Sequence, residues 1–187
     1  MNSAVRDIII LSPIGDIDSA VLESLGRNLG RRFGLATETV VLLNNLDFAL
    51  DTGRNQYHST PILSELAGRA PARAVKVLGI TRVDLFIPIL THVYGEAQLG
   101  GRACIVSTYR LYPDAIAPTI TSNERLIKES VHELGHTFKL RHCPDRTCIM
   151  HYCRRIEDVD HKSNRFCRHC RVLIDDELKR AGLKEPI

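Results

Sequence analysis

Three histidines and one glutamate in residues 131–150 constrain this chain more than any other feature of its sequence. His132 and His136 are four residues apart, and His142 follows six residues later. Residues four apart on a helix share a face, so His132 and His136 can direct their imidazoles at one ion, with Glu133 beside it. The helix must end soon after His136, because otherwise His142 could not turn back to that ion. The spacing therefore predicts a helix, a turn and a metal site.

The number of histidines indicates what the metal does. A structural zinc ion normally has four protein ligands, whereas three histidines leave one position open for water. Water at such a position loses a proton near neutral pH, and Glu133 is a carboxylate placed to accept it. We therefore predict a zinc-dependent hydrolytic site with Glu133 as the general base.

Five of the six cysteines lie between residues 143 and 170, which is typical of metal ligation in a chain that is not exported. One pair, Cys143 and Cys148, and a second pair, Cys167 and Cys170, can together form a closed four-thiolate zinc site. The spacing leaves an ambiguity, because Cys153 is as far from Cys148 as Cys143 is. We expect two zinc ions per chain, one catalytic and one structural.

Length and composition are those of one globular domain. The chain has 187 residues, 44% of them hydrophobic and 25% charged. We predict a single domain over 1–187, in which residues 1–138 contain the sheet and the histidine helix and residues 139–187 form a smaller part around the cysteines. The longest apolar runs are well short of the roughly 20 residues that cross a bilayer, and no secretory signal is recognisable near Asp16 and Asp18. We expect a cytoplasmic protein with no membrane partner.

The pattern of apolar residues predicts an α/β fold. Alternating strands and helices imply a mostly parallel sheet, because a strand, helix and strand in succession form a right-handed crossover. The predicted strands cover 7–11, 39–43 and 77–89, and helices begin after Asp16 or Asp18, near Thr60 and at Arg168. Residues 102–110 follow a turn at Gly100 and Gly101 and predict an antiparallel strand at the edge of the sheet. Such an edge can bind an extended peptide as an added strand, although an ordinary covered edge is an equally good interpretation.

The motif and the cysteines together resemble those of the archaemetzincins, a branch of the metzincin zinc metallopeptidases. The family pattern is H-E-x-x-H-x-x-G-x-x-H-C, followed by C-x-M and C-x-x-C. Residues 54–60, 79–86 and 95–110 also resemble the family, so the similarity extends over most of the chain. The resemblance implies a peptidase that acts on short peptides or prefers their amino ends.

The resemblance also implies a role for each matching residue. His132, His136 and His142 would bind the catalytic zinc ion, and Glu133 would transfer the proton from the attacking water to the leaving amine. The resemblance selects Cys143 over Cys153 for the structural site. Met150 would form the methionine turn beneath the metal, and Tyr152 would stabilise the oxyanion or, as the alternative, lie buried under the site.

The sequence departs from the family pattern at two points. Lys139 occupies the position of the family glycine, which accepts a left-handed backbone freely, whereas another L-residue there costs about 1–2 kcal/mol. We expect strain or a different turn at Lys139. The gap between Met150 and Cys167 is also one residue shorter than is usual, which a loop can absorb.

The main alternative is a non-catalytic zinc protein. Residues 139–187 carry an excess of lysine and arginine, and a basic four-cysteine region could bind nucleic acid or a protein partner. Glu133 argues against this alternative, because a purely structural site needs no carboxylate there. We therefore expect a peptide substrate.

Overall fold

The computed structural model of the chain describes residues 8–112 and 120–183. Its strands are β1 (Ile8–Ile14), β2 (Ala36–Thr39), β3 (Leu50–Asp51), β4 (Gln56–His58), β5 (Ala74–Thr81), β6 (Leu85–Phe86), β7 (Gly95–Ala97) and β8 (Ala103–Ser107). Its α-helices are α1 (Ser19–Phe33), α2 (Ser59–Arg69), α3 (Ile120–Thr137), α4 (Ile156–His161) and α5 (Arg168–Arg180).

A five-stranded sheet lies between two helical layers. Its strand order is β2-β1-β5-β8-β7, in which the first four strands are parallel and β7 runs antiparallel. Ile9 and Leu11 of β1 face a core shared with α1, α3 and α5, whereas Ile8 and Ile10 face a second core shared with α2. This arrangement confirms the predicted mixed, mostly parallel α/β fold with an antiparallel edge strand.

Strand β1 runs further than the predicted 7–11, of which Asp7 lies outside the described residues. It continues through Pro13, which pairs with Ile80 of β5. Pairing with β2 ends at Leu11, so the missing N–H of Pro13 falls beyond the β2 ladder. All seven residues of β1 are buried, as expected for a central strand covered on both faces.

Two other predicted strands have wrong bounds. The second strand is Ala36–Thr39 instead of 39–43, because its ladder with β1 begins at Ala36 and ends at Thr39. The predicted strand 77–89 is two strands in two sheets. β5 ends at Thr81, and β6 then pairs with β4 in a small sheet of strand order β3-β4-β6.

The predicted edge strand 102–110 was also wrong in its position. The strand in that segment, β8, lies inside the sheet between β5 and β7 and runs parallel to β5. The turn at Gly100, whose φ is 68°, does reverse the chain, but the strand that it places at the antiparallel edge is the preceding one, β7. Any peptide added to this sheet beside the histidines would therefore pair with β7.

The predicted helices are present, and one short helix was missed. Asp18 caps α1 by accepting a hydrogen bond from the Ala20 N–H, and Gly34 ends that helix with φ of 70°. α4 has only six residues and gave no periodic signal in the sequence. Among the described residues, no helix is both long and apolar enough to cross a membrane.

Candidate metal centres and active-site cleft

Helix α3 carries the first two histidines of the predicted catalytic site. The Nε2 atoms of His132 and His136 lie 3.1 Å apart, and one ligand atom from each of His132, His136 and His142 falls within 4.8 Å of the others. Two nitrogens on one tetrahedral zinc ion, at the usual bond length, would lie about 3.4 Å apart. The structure thus brings together the three histidines that the sequence predicted.

Hydrogen bonds on the far side of each ring show that these histidines suit a metal. His132 Nδ1 faces the Ile149 carbonyl oxygen at 2.9 Å, and His136 Nδ1 faces the Leu140 carbonyl oxygen at 2.7 Å. Each Nδ1 therefore carries the proton and donates it, which leaves two Nε2 lone pairs facing each other. Burial also lowers the pKa of both rings below the ordinary value, and lowers the pKa of His142 to about 4. Neutral imidazoles with converging lone pairs fit a zinc ion.

The turn that returns His142 to the site is closed by Lys139. After α3, Leu140 N–H donates to Gly135 O at 3.0 Å and Lys139 N–H donates to His136 O at 2.9 Å, which is the Schellman pattern of helix ends. Lys139 has φ of 65°, the left-handed conformation for which the family uses glycine. The strain expected at Lys139 is therefore present, within a regular Schellman turn. An ion pair between Lys139 Nζ and Glu177, at 2.9 Å, holds the lysine against α5.

Glu133 lies beside the histidines in a largely apolar place. Its side chain is buried, and burial raises its pKa well above the usual range, with Glu129 adding to the effect and Lys162 opposing it. A general base must lie within reach of the water that it deprotonates, and Glu133 lines the same cleft as the three histidines. Strand β7 comes close to Glu133 because Gly95 has no side chain.

Replacing Gly95 by alanine should displace β7 from Glu133. The added Cβ would lie 2.6 Å from the Ile105 carbonyl oxygen and 2.7 Å from Glu133 Cγ, so backbone must shift. We expect a loss of about 1–3 kcal/mol in the free energy of unfolding and at least a tenfold loss of the predicted hydrolytic activity, since small misplacements of reacting groups cost about 10²-fold. Urea unfolding and initial rates measure both effects.

Gly68→Ala is the matched control for Gly95→Ala. Gly68 lies within α2, and none of the described atoms outside the backbone of its own helix would come within 4 Å of an added Cβ. Alanine there should stabilise the helix and leave activity unchanged. Equal activity in the Gly95→Ala and wild-type proteins would contradict the assigned role of Gly95.

Four cysteines form a second cluster at the end of the same segment. The Sγ atoms of Cys143, Cys148, Cys167 and Cys170 all lie within 4.8 Å of one another, with Cys143 and Cys167 3.8 Å apart. Two sulfurs on one tetrahedral zinc ion would lie about 3.8 Å apart. The cluster contains Cys143 and not Cys153, so the ambiguity left by the spacing is removed. Cys104, a residue of β8, is buried in the core and, like Cys153, is a free thiol.

Three consecutive residues link the two clusters. Cys148 belongs to the sulfur cluster, and the carbonyl of the next residue, Ile149, orients His132. Met150 is fully buried, and a Cβ on Gly135 of α3 would lie only 2.5 Å from its sulfur. The sequence predicted a buried Met150 beneath the site, and the structure shows it buried against Gly135, the residue before His136.

The histidines open into a cleft of about 470 Å³ between β7, α3 and the segment after Met150. Tyr152 lines this cleft, with its ring centroid 5.0 Å from that of His142, and is 39% exposed. It is therefore not the buried aromatic that the alternative interpretation required.

The site also includes Gly95, Glu129 and Lys162, which the sequence analysis missed. Of these three residues, only Glu129 could have been suspected from the sequence, because it is four residues before Glu133 on the same helix and so shares its face.

The histidine pattern, the sulfur cluster and the fold agree with comparisons to known proteins. The sequence pattern of peptidase family M54 matches residues 25–176. The archaemetzincin of Pyrococcus furiosus is 36% identical over 96% of this chain and 98% of its own length. The chain belongs to the archaemetzincin family. It is a zinc metallopeptidase, and the family resemblance seen in the sequence is confirmed.

Solved archaemetzincin structures share the fold. The crystal structure of archaemetzincin from Methanopyrus kandleri superposes with a TM-score of 0.82 at 32% identity, covering 96% of this chain and 99% of that one. A zinc-dependent peptidase from Methanocorpusculum labreanum superposes with a TM-score of 0.79 at 26% identity, covering 89% and 99%. The non-catalytic alternative is therefore not favoured.

Proposed function

We propose that this chain hydrolyses peptide bonds at the histidine cluster, with His132, His136 and His142 as zinc ligands and Glu133 as the general base. A zinc ion held there would polarise the scissile carbonyl and make water easier to deprotonate. The Glu133 carboxylate would take the proton from the attacking water and deliver it to the leaving amine. The observation that carries this proposal is the convergence of three neutral imidazoles beside a buried carboxylate that lines the same cleft.

We also propose that the substrate binds as an added strand on β7. This strand is the antiparallel edge of the sheet, and its three residues line the cleft. Backbone hydrogen bonds to an edge strand give affinity without strong sequence preference. A peptide paired with β7 would pass Glu133, which approaches Gly95 closely. Cleavage of a peptide library by the zinc-loaded protein, followed by mass spectrometry, tests activity and shows whether amino ends are preferred.

A second, structural zinc ion at the four cysteines completes the proposal. The sulfur spacing and the set of four cysteine thiols support it. Measured metal content should be two zinc ions per chain. One ion per chain, together with salt-dependent nucleic-acid binding and no hydrolysis, would favour the non-catalytic alternative.

Tyr152→Phe should lower turnover and leave zinc content unchanged. The proposed role of the hydroxyl is to stabilise the oxyanion, and removal of such a donor lowers kcat by about 10²–10³-fold in well-placed cases. Phenylalanine keeps the ring that contacts His142. Tyr109→Phe is the control, because Tyr109 is exposed and does not line the histidine cleft. Unchanged turnover in Tyr152→Phe would remove Tyr152 from the mechanism.

Three broader assignments complete the proposal. The buried Met150 under α3 supports placing the chain among the metzincins. The core that contains Leu11 and Phe33 also contains Cys143 and Ile174, which supports one domain over 1–187 with the C-terminal part packed on the rest. Six cysteines without disulfides support a reducing compartment such as the cytoplasm.

A further inference from the structure

A buried ion pair lies one helical turn from Glu133. Lys162 Nζ is 2.6 Å from Glu129 Oε1, and the two side chains are 0% and 4% exposed. Glu129 is on α3, and Lys162 is the residue that ends α4. The pair therefore joins the histidine helix to the segment that follows the methionine turn.

Helix α4 has other contacts with α3 besides this pair. Arg125 donates two hydrogen bonds of 2.7 Å to Asp160, and Lys128 Nζ donates to the carbonyl oxygens of Val159 and Asp160 at 2.9 Å each. The Val159 side chain is also fully buried. Buried ion pairs are often no more stabilising than apolar residues of the same size, so a third electrostatic link is not required for stability.

Glu129 faces the active-site cleft. It lines the cleft together with Glu133, Tyr94 and Cys153, which are on three different segments. Burial, with Glu129 nearby, raises the pKa of Tyr94 to about 12, and burial raises the pKa of Cys153 to about 11. These groups therefore stay protonated at neutral pH. The cleft wall beside Glu133 thus combines a carboxylate with two neutral polar groups.

We propose that Glu129, positioned by Lys162, is the polar floor of a subsite for the substrate side chain next to the scissile bond, and that it selects side chains that donate hydrogen bonds. This inference rests on the proposed function. One helical turn is about 5.4 Å, so a side chain close to the bond at Glu133 can reach Glu129. The ammonium of Lys162 contacts Oε1 of Glu129. A carboxylate can accept more hydrogen bonds than one donor supplies, so Glu129 can also accept one from the substrate. An apolar side chain would cover the carboxylate without donating a hydrogen bond to it.

The charges around the subsite define the class of side chain that it accepts. Lys162 balances Glu129 within the wall, while Glu96 adds negative charge to the cleft and Arg154 adds positive charge at its rim. The subsite is therefore polar without a large net charge. Hydroxyl, amide and ammonium groups can donate a hydrogen bond to Glu129, whereas a carboxylate cannot donate one and would be repelled by its charge.

The test replaces both partners together, because removing one would leave the other buried and unpaired. Glu129→Leu combined with Lys162→Met keeps the side chains close in size and removes both charges. Arg125→Met combined with Asp160→Leu is the matched control, because it removes another ion pair between α3 and α4 that does not line the cleft. Peptides that vary at the two residues flanking the scissile bond are compared by kcat/KM, and the same peptides are titrated into each variant on a Glu133→Gln background by calorimetry.

We expect wild type and control to prefer serine, asparagine or lysine over leucine at one flanking position by at least about tenfold, since sites built for hydrogen bonds reject apolar analogues strongly. The Glu129→Leu, Lys162→Met protein should lose or invert this preference. The subsite would be overturned if wild type preferred apolar side chains. It would also be overturned if the Glu129→Leu, Lys162→Met protein kept the polar preference of wild type. Either result counts whether it is seen in cleavage or in binding. Absence of any cleavage by the zinc-loaded wild type would instead contradict the proposed function, and the calorimetric comparison would still decide the subsite.

Discussion

Glu133→Gln is expected to lower kcat on peptides by about 10²–10⁴-fold, the usual contribution of a positioned general base. Glutamine has the same shape as glutamate, so it fits the close approach of Gly95 to the Glu133 side chain. Its amide cannot accept the proton of the attacking water. The three histidines are unchanged, so zinc content should equal that of wild type.

Steady-state kinetics and metal analysis on the same preparation measure both parts of this prediction. Glu124→Gln is the control, because Glu124 is an exposed carboxylate on the same helix. Retention of more than a tenth of the activity by Glu133→Gln would show that another group removes the proton. Loss of zinc in that variant would show that Glu133 acts on the metal site instead.

Cys148→Ser is expected to remove one of the two zinc ions and to impair folding and catalysis together. Loss of a metal site is among the few single changes that lower the free energy of unfolding by more than about 4 kcal/mol. The catalytic site should be affected because Ile149 follows Cys148 directly and its carbonyl orients His132. His142 likewise precedes Cys143, a member of the sulfur cluster.

Metal content, thermal unfolding and kcat are the three measurements for Cys148→Ser. We expect one zinc ion per chain, a lower melting temperature and reduced turnover. Cys104→Ala is the control, because Cys104 is equally buried but lies outside the cluster. Two zinc ions in the Cys148→Ser protein would contradict the structural site. Wild-type turnover with one zinc ion would show that the two sites are independent.

The sequence by itself determined the features that depend on local spacing. The positions of His132 and His136 on one helix face follow from the period of the helix, and the end of that helix follows from the need to return His142. The two cysteine pairs and the buried Met150 were also recognisable from short motifs. The return of His142 to the site requires a left-handed residue after the helix, and Lys139 adopts that conformation although it is not glycine.

Only the tertiary structure decided which distant segments lie side by side. Hydrogen bonding of β8 to β5 places β8 inside the sheet and makes β7 its edge strand. The pairing of Glu129 with Lys162 depends on how α4 packs on α3. The spacing of the cysteines left Cys143 and Cys153 open, and the folded chain brings Cys143 into the cluster, as the family resemblance implied. Long-range packing joins residues that share no sequence period. The helix and turn of the histidine motif were therefore predictable, whereas the cleft wall that we propose to select the substrate was not.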